Sequence, residues 1–396
     1  MKNSSFTLFI EINKHSYVFF ICKNDEQNNF KIIYRLETKL KGVENNKISD
    51  LEAVLDVIKN NVYIAEQRLG HTFNEVVLIL ENFNPTFINL SGYKKLNGSQ
   101  ILKENITYIL NTLKSCVEVT ELKKTVIHIF NSKFYLDNKK VKNLPIGLFG
   151  DFYSHELSFT LINSNEYKNL QNVFHKINLK IKKILIKSFI NGAYISNHYK
   201  KNDTFFYIKI NNNDAKIFYF ENNSLKFEQS FKFGTDILLK DISKITSLNI
   251  DKIKMILDKI DLFADISEDE LIEESFFKDN VYRKIRKKLI YEIALARIKE
   301  ISEIIFLKNI NFLHYNKVSS NIFLEINDKL QFKCLKEIYK QNFSMSGNNI
   351  NFINLSNENM LNTANKLVHF GWKEEAIPIS KSKKSLIAML FDKIFG

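Results

Sequence analysis

Apolar and polar residues alternate in short runs at the start of the chain. Phe6–Ile12, Ser16–Cys22 and Phe30–Leu40 read as three strands joined by polar turns, which predicts an antiparallel opening. Ser49 then caps a helix through about Gly70, in which Leu51, Val54, Leu55, Ile58, Val62 and Ala65 recur at three- and four-residue steps. Val76–Leu80 returns as a buried strand. From Glu81 to Asn163 the texture changes. Phe87–Leu90 is a strand, and Ser99–Leu113 repeats at helical period. Thr125–Phe130, Lys133–Leu136 and Glu156–Ile162 are further strands around a turn at Leu144–Gly150. This predicts a small inserted strand–helix–strands unit, after which Tyr167–Ile177 (helix) and Ile181–Ile186 (strand) resume the first domain.

A second pass begins near Thr204. Phe205–Ile210, Ala215–Phe220 and Ser224–Phe233 again give three strands, followed by helices over Asp236–Ser247, Asp251–Lys259 and, at length, Val281 to about Ile305. Asn321–Ile326 is a short strand, and Cys334–Lys340 and Asn359–Phe370 are helices. Two α/β halves that each open with three strands have the layout of the actin/Hsp70/sugar-kinase superfold.

The last residues form an amphipathic pattern. Leu386, Ile387, Leu390, Phe391 and Ile394 share one helical face, Met389 and Phe395 flank it, and Lys393 lies at the edge where it snorkels. A polar linker with Lys381, Lys383 and Lys384 precedes them. About three turns of helix cannot span a bilayer, which takes ~18–20 apolar residues, but they suit the headgroup–acyl boundary. Burying five such side chains gives roughly 7–15 kcal/mol gross. Ordering a dozen residues costs about as much, at ~1–2 kcal/mol each. The lysines add ~1 kcal/mol each on an anionic leaflet, so binding is weak singly and firm when many copies act together. A helix docked on its own domain or on a partner is the other reading of this pattern. At the opposite end, Glu11 interrupts Phe6–Ile10, so that run is a strand rather than a signal peptide.

Composition changes this picture in three places. The chain has 396 residues with 45% hydrophobic and 26% charged, which excludes a disordered chain and a membrane-spanning bundle. It has only 11 glycines, where average usage of ~7% gives roughly 28, and loops that cradle phosphate with backbone N–H groups depend on glycine. Lys+Arg 57 against Asp+Glu 44 gives a charge of +13, which suits an anionic partner. The lysines interleave with Asn, Ile and Phe as drift in an A+T-rich genome would place them, so charge alone decides nothing. Cys22, Cys116 and Cys334 are far apart and the histidines show no ligand spacing, so no metal site or disulfide framework is expected and a reducing cytoplasm fits. Gly147-Leu148-Phe149-Gly150 has the G-x-x-G of a KH loop but precedes a strand, so it is a turn, and no nucleic-acid partner is expected.

Several segments together resemble the FtsA family of actin-like bacterial division proteins. They run from Gly42-Val43 through Asp50–Val54 to Ala65-Glu66, then Val126–Ile129, and Pro145-x-Gly147-x-x-Gly150 with Glu156–Ile162. Gly234 with Asp241-Ile242 is similar to the family's glycine turn into a helix. Ala296–Ile301 resembles the A-R-x-E-E-I of its long helix, and Thr363-Ala364 with Gly371 resembles its ending. Residues 255–280 and 306–358 match least. The resemblance implies an actin-like fold with an inserted SHS2-like subdomain 1C. Subdomain 1A would take 1–81 and 164–200, 1C 82–163, 2A 201–240 and 319–372, and 2B 241–318. A basic linker over 373–384 and a membrane-targeting helix over 385–396 would follow. It further implies a peripheral protein at the division septum, on the cytoplasmic face of the inner membrane. Such a protein binds anionic lipids and the FtsZ C-terminal tail, self-associates into filaments, and recruits later division proteins through 1C. For the acidic FtsZ tail, Arg283, Arg286, Lys287 and Arg297 are the candidate receptor on the long helix, together with Lys284 and Lys288 of the same run; a solvated basic face is the alternative.

One departure from the family matters. The family binds ATP through three glycine-bearing segments. Here Glu11-Ile12-Asn13-Lys14-His15 stands where acid-x-Gly-Thr/Ser is expected, and Lys209-Ile210-Asn211-Asn212-Asn213-Asp214-Ala215-Lys216 stands where D-I-G-G-G-T-x-D is expected. Ile322–Asp328 lacks the adenosine-binding glycines, and Lys366 replaces another. Asparagine tolerates positive φ, so the turns could keep their shape, yet each Cβ crowds a phosphate. Lys209 and Lys216 are the residues that could still meet phosphates. The site reads as degenerate, with Glu11, Asn13, Lys209, Asn211, Asn212, Asn213, Asp214, Lys216 and Gly234 as its remnants. No cofactor and no ATPase activity are expected; ATP enters only if those remnants still bind it. Alternatives are another actin-like membrane-assembly scaffold of the pilus-assembly type, and an active actin-fold ATPase or kinase, which the missing glycines oppose.

Overall fold

One strand order, used twice, organises the chain. The computed structural model describes residues 6–24, 30–81, 83–199, 202–259, 267, 269–277, 283–316, 321–344, 348–372 and 375–376. Two compact units divide it. The first gathers the chain up to Asn191, Asn222–Leu225 and the chain from Met360; the second gathers Gly192–Glu221 and Lys226–Asn359.

In the first unit β1 (Phe6–Ile12), β2 (Ser16–Asn24) and β3 (Phe30–Lys39) form an antiparallel ladder. A hairpin of β4 (Val43–Glu44) and β5 (Lys47–Ile48) leads to α1 (Leu51–Leu69). Asp50, not Ser49, caps α1: its carboxylate accepts the Ala53 N–H, and Gly70 ends the helix in the left-handed region at φ 59°. β6 (Glu75–Leu80) follows. β7 (Thr86–Lys95), α2 (Lys103–Thr120), β8 (Lys124–Leu136), β9 (Lys139–Val141) and β10 (Phe152–Asn163) then make a separate sheet in the order β7-β10-β8-β9. After α3 (Ser164–Lys176), β11 (Lys180–Ile186) returns to the main sheet, and α4 (Lys187–His198) follows it directly. The main sheet runs β11-β6-β1-β2-β3.

The second unit contains β12 (Phe205–Ile210), β13 (Ala215–Glu221) and β14 (Ser224–Phe231), then α5 (Asp236–Thr246), α6 (Ile250–Lys259) and α7 (Lys287–Ser302). A π-turn at Glu303–Leu307 and α8 (Ile310–Tyr315) precede β15 (Asn321–Ile326), α9 (Lys329–Ser344) and β16 (Asn349–Phe352). Last comes α10 (Asn357–His369), which from Met360 onward belongs to the first unit. The sheet runs β14-β13-β12-β15-β16. Counted from the start of each unit, both main sheets have the order 3-2-1-4-5, with an antiparallel hairpin side and a parallel side. Central strands are buried on both faces: Leu8, Phe9 and Ile10 of β1 and Val76–Leu80 of β6 are at most 1% exposed.

Asparagine supplies the turns that glycine usually supplies. Asn45-Asn46, Asp137-Asn138 and Asn222-Asn223 join β4–β5, β8–β9 and β13–β14 as two-residue loops with both φ values between 47° and 64°. That is the mirror-image turn whose twist matches paired strands. The shortage of glycine is therefore partly a replacement of glycine by asparagine at turns.

Several elements differ from the sequence expectation. The strands expected at Thr125–Phe130 and Lys133–Leu136 are one strand, β8, whose register against β10 shifts at Glu156/Leu157. The bulge there absorbs the polar Asn131-Ser132 pair that suggested a break. The helix expected from Val281 begins at Lys287, because Arg286 is extended (φ −74°, ψ 137°) and residues 283–285 are not helical. Residues 281–282 lie outside the described chain. α4, β16 and α8 were not expected.

Candidate functional site

The parallel strands β1, β6 and β11 end level with one another: Ile12 pairs with Leu80, and Leu80 with Ile186. At this carboxyl edge of an α/β sheet, loops and helix starts converge and ligands commonly bind. Glu11 reaches the edge from β1 and is 2% exposed. Its carboxylate lies 2.6 Å from Lys187 Nζ, which is also 3.2 Å from Glu81. Glu81 and Lys187 directly follow β6 and β11, so the level strand ends bring one cation between two carboxylates. Burial works to lower the pKa of Lys187, but Glu81 and Glu11 outweigh it and hold the ammonium well above its ordinary value. Glu11, the acid at the first family segment, is thus paired within its own unit.

Asn13 closes the β1–β2 turn on itself. Its Oδ1 accepts the N–H groups of His15 (2.9 Å) and Ser16 (2.8 Å), and its Nδ2 donates to Ser16 Oγ (3.0 Å). The His15 and Ser16 amides, which a glycine loop would turn toward a ligand, face the asparagine side chain.

The corresponding turn of the second unit is closed in another way. None of Asn211, Asn212 and Asn213 has a positive φ, so they do not copy a glycine loop. Asn211 N–H donates to Asp214 O (2.8 Å), and its Nδ2 donates to Asp214 Oδ1 (2.7 Å). Asn327 Nδ2, past the end of β15, donates to Asn211 Oδ1 at 2.5 Å. The loop carbonyls meet the start of α5: Thr235 N–H donates to Asn211 O (2.9 Å) and Asp236 N–H to Asn212 O (2.8 Å). These are N–H groups that a helix start leaves unsatisfied and that bind phosphate elsewhere. Gly234 permits the approach, since a Cβ there would lie 2.1 Å from Asn211 O. Of the two lysines, Lys216 is 3.0 Å from Glu228 Oε1 in a largely buried pair. Lys209 is paired in register with Lys216 on β13 and with Glu325 on β15. Residues Ile322–Ile326, expected in the adenosine segment, lie within β15; only Asn327-Asp328 form the turn into α9. Among the described residues no group of His, Cys, Asp and Glu could hold a metal ion.

The four basic candidates for a peptide partner do not form one cluster. Arg283, Lys284 and Arg286 precede α7 instead of lying on it, and Arg286 pairs with Leu271 as an isolated bridge. Lys287 opens α7 and is bonded to Glu270. Arg297 lies ten residues further on, about 15 Å along the helix axis at ~1.5 Å per residue. There its guanidinium donates to Asp241 of α5 and to Glu300, and the Asp241 hydrogen bond raises its pKa further. It lines a groove of about 680 Å³ between α5 and α7, whose apolar lining is Ile245, Ile293 and Ala296. Asp241, Glu292 and Glu300 outnumber Lys244 and Arg297 around it, so the groove is mixed in charge rather than basic.

A feature that sequence reasoning missed lies on the inserted sheet. Glu375 pairs with Phe130 of β8, and Ala376 N–H donates to Ile129 O at 2.7 Å. The Glu375 carboxylate sits 3.3 Å from His128 Nδ1 and 2.7 Å from Lys183 Nζ. Burial lowers the pKa of His128. In sequence Glu375 is one acid in a polar linker, and nothing marks it. The membrane candidates Lys381, Lys383, Lys384, Leu386, Ile387, Met389, Leu390, Phe391, Lys393, Ile394 and Phe395 lie outside the described residues. Among the described residues no helix is long and apolar enough to cross a membrane.

No family model matches the chain. A cell division protein FtsA of Buchnera aphidicola (subspecies Acyrthosiphon pisum) is 20% identical over 99% of this chain and 97% of its own. The FtsA of the Baizongia pistaciae subspecies is 22% identical over 84% and 83%. Among solved structures, one described as a PilM-PilN type IV pilus biogenesis complex superposes with a TM-score of 0.53 at 9% identity, covering 92% of this chain and 98% of that one. With the twofold 3-2-1-4-5 order, that likeness defines an actin-like ATPase fold. The chain is an FtsA-like protein of this actin-like class.

Proposed function

We propose that the chain is a division-site adaptor that holds FtsZ filaments against the cytoplasmic face of the inner membrane through residues 385–396. In this reading it self-associates and recruits later division proteins through the inserted sheet of residues 82–163. The observation that carries it is similarity to FtsA running through almost the whole of both chains, inserted segment included. The amphipathic tail with its preceding lysines supports the membrane half, and the α5–α7 groove beside Arg297 supports the partner half. We further propose that the adaptor works without ATP turnover. Glu11, Asn13, Asn211, Asp214 and Lys216 all have protein partners, and the α5 amides of Thr235 and Asp236 are engaged by loop carbonyls. A pilus-type scaffold is the second reading, and it needs no FtsZ.

Flotation with anionic liposomes and FtsZ tests this, using the full chain and a version ending at Lys384. FtsZ rising with liposomes only when residues 385–396 are present supports both halves. Protein that floats while FtsZ stays behind favours the scaffold with another partner. If neither floats, the adaptor reading falls.

A further inference from the structure

Two loops meet at one end of the inserted sheet: residues 96–102 after β7 and residues 142–151 between β9 and β10. Backbone hydrogen bonds lace them together: Leu96 N–H to Asp151 O (2.8 Å), Gly98 N–H to Gly150 O (3.1 Å), Ile101 N–H to Leu148 O (2.8 Å) and Gly147 N–H to Ile101 O (2.9 Å). Gln100 Nε2 adds a 2.7 Å bond to Gly147 O, and Gly147 takes a φ of 89° that other residues rarely adopt. The tip therefore has a defined shape, and it displays apolar side chains. Leu102 is 50% exposed, Ile146 44%, Leu148 51% and Phe149 69%. Scattered exposed apolar residues are ordinary, but with Leu144 (37%) these two linked loops carry five, which form a patch.

The surroundings are basic. Lys95, Lys103, Lys139 and Lys142 are exposed at this end, and Lys140 lies 3.4 Å from Asn222 Oδ1. The acids are Glu104, Asp137 and Asp151, and the Asp137 carboxylate is occupied by the N–H groups of Asp151 (2.9 Å) and Phe152 (2.8 Å). Protruding apolar side chains with lysine stems behind them suit a bilayer boundary. The apolar groups enter the acyl region while ammonium groups stay among anionic headgroups.

The bilayer is also within reach. Ala376, the last described residue, is bonded to Ile129, and β8 runs on to Leu136 at this end of the sheet. That is about 23 Å at ~3.3 Å per residue. Eight residues, the number from 377 to 384, can span at most ~26–29 Å. A tail helix lying in a membrane can therefore leave the tip on the same membrane.

We propose that the tip formed by Leu102, Ile146, Leu148 and Phe149 is a second contact with anionic lipid, a proposal that rests on the membrane reading of the tail. The test uses the full chain with vesicles of phosphatidylcholine and phosphatidylglycerol. The I146S/L148S/F149S variant binds about tenfold more weakly than the parent. F149W fluorescence is quenched by lipids brominated in their acyl chains, beyond the background from Trp372. K139E/K142E binding falls further behind the parent as phosphatidylglycerol is raised. If the parent binds while the triple serine variant binds equally and F149W is unquenched, the tip proposal falls and the tail reading stands. If the parent and the version ending at Lys384 bind alike, the tail reading falls, and quenching of F149W alone then decides the tip. If the serine variant instead loses self-association without lipid, the tip is a contact between copies and the proposal is overturned.

Discussion

The β1–β2 and β12–β13 hairpins hold the same place in two sheets of the same strand order, yet their turns are closed by different physics. In the first unit charge meets charge: Lys187 stands between Glu11 and Glu81 at the level ends of three parallel strands. In the second unit the closure is geometric, with loop carbonyls seated on the first amides of α5 through the space left by Gly234. A carboxylate found at a family position is therefore no sign of a metal ligand until its neighbours are known. Asparagine keeps the positive φ of a glycine turn at Asn45-Asn46 and Asn222-Asn223, but not at Asn211, Asn212 and Asn213, so the residue type alone does not preserve a loop.

The contrast breaks most visibly at Lys187. K187M leaves two acids without their cation, and breaking a buried pair in this way costs about 3–5 kcal/mol, read as a lower urea midpoint. Adding E11Q and E81Q to K187M restores most of that loss if charge is the cause. G234A acts on the other turn. Its methyl group meets the backbone oxygen of Asn211, and such overpacking costs about 1–3 kcal/mol, measured by the same unfolding experiment. N211A, which removes the side-chain bonds to Asp214 and Asn327, costs about 1–2 kcal/mol.

Alkaline titration sharpens the same contrast. The folded pKa of Lys187 lies above its unfolded value, so its contribution is complete below the ordinary lysine range and is lost as pH rises through and beyond it. Parent stability therefore falls above about pH 10.4 more steeply than that of the E11Q/E81Q/K187M variant, while G234A follows the parent slope. The smallest expected effect is none at all: millimolar Mg-ATP leaves the melting temperature unchanged. A rise with concentration would show that one of the two closures opens.

Much of the fold was legible because its signals are local. The three-strand openings, α1 with its glycine stop, and β15 to the residue follow from alternation and capping. α4 was hidden because only Lys187-Ser188 separates the apolar end of β11 from its own apolar residues Phe189, Ile190, Ala193 and Ile195, and the helix starts with no turn between. α2 starts at Lys103 instead of Ser99 because residues 98–101 are tied to the 147–150 loop, a contact no periodicity reveals. At the site, the residue types were readable but their partners were not. Lys187 lies 176 positions from Glu11 in sequence, and only the register of β1, β6 and β11 joins them.

The inserted sheet bears on the order in which the chain folds. β6 and β11 are adjacent in the main sheet, yet residues 81–179 separate them in sequence. The antiparallel pairing of Thr86 with Leu161 brings the entrance and exit of the insertion together. Once that sheet forms, the loop between β6 and β11 shortens to its flanks and α3, and the entropy of closing it falls with its effective length. Early formation of the insertion thus speeds completion of the first unit, and its mutations will register in folding rate before they register in the final structure.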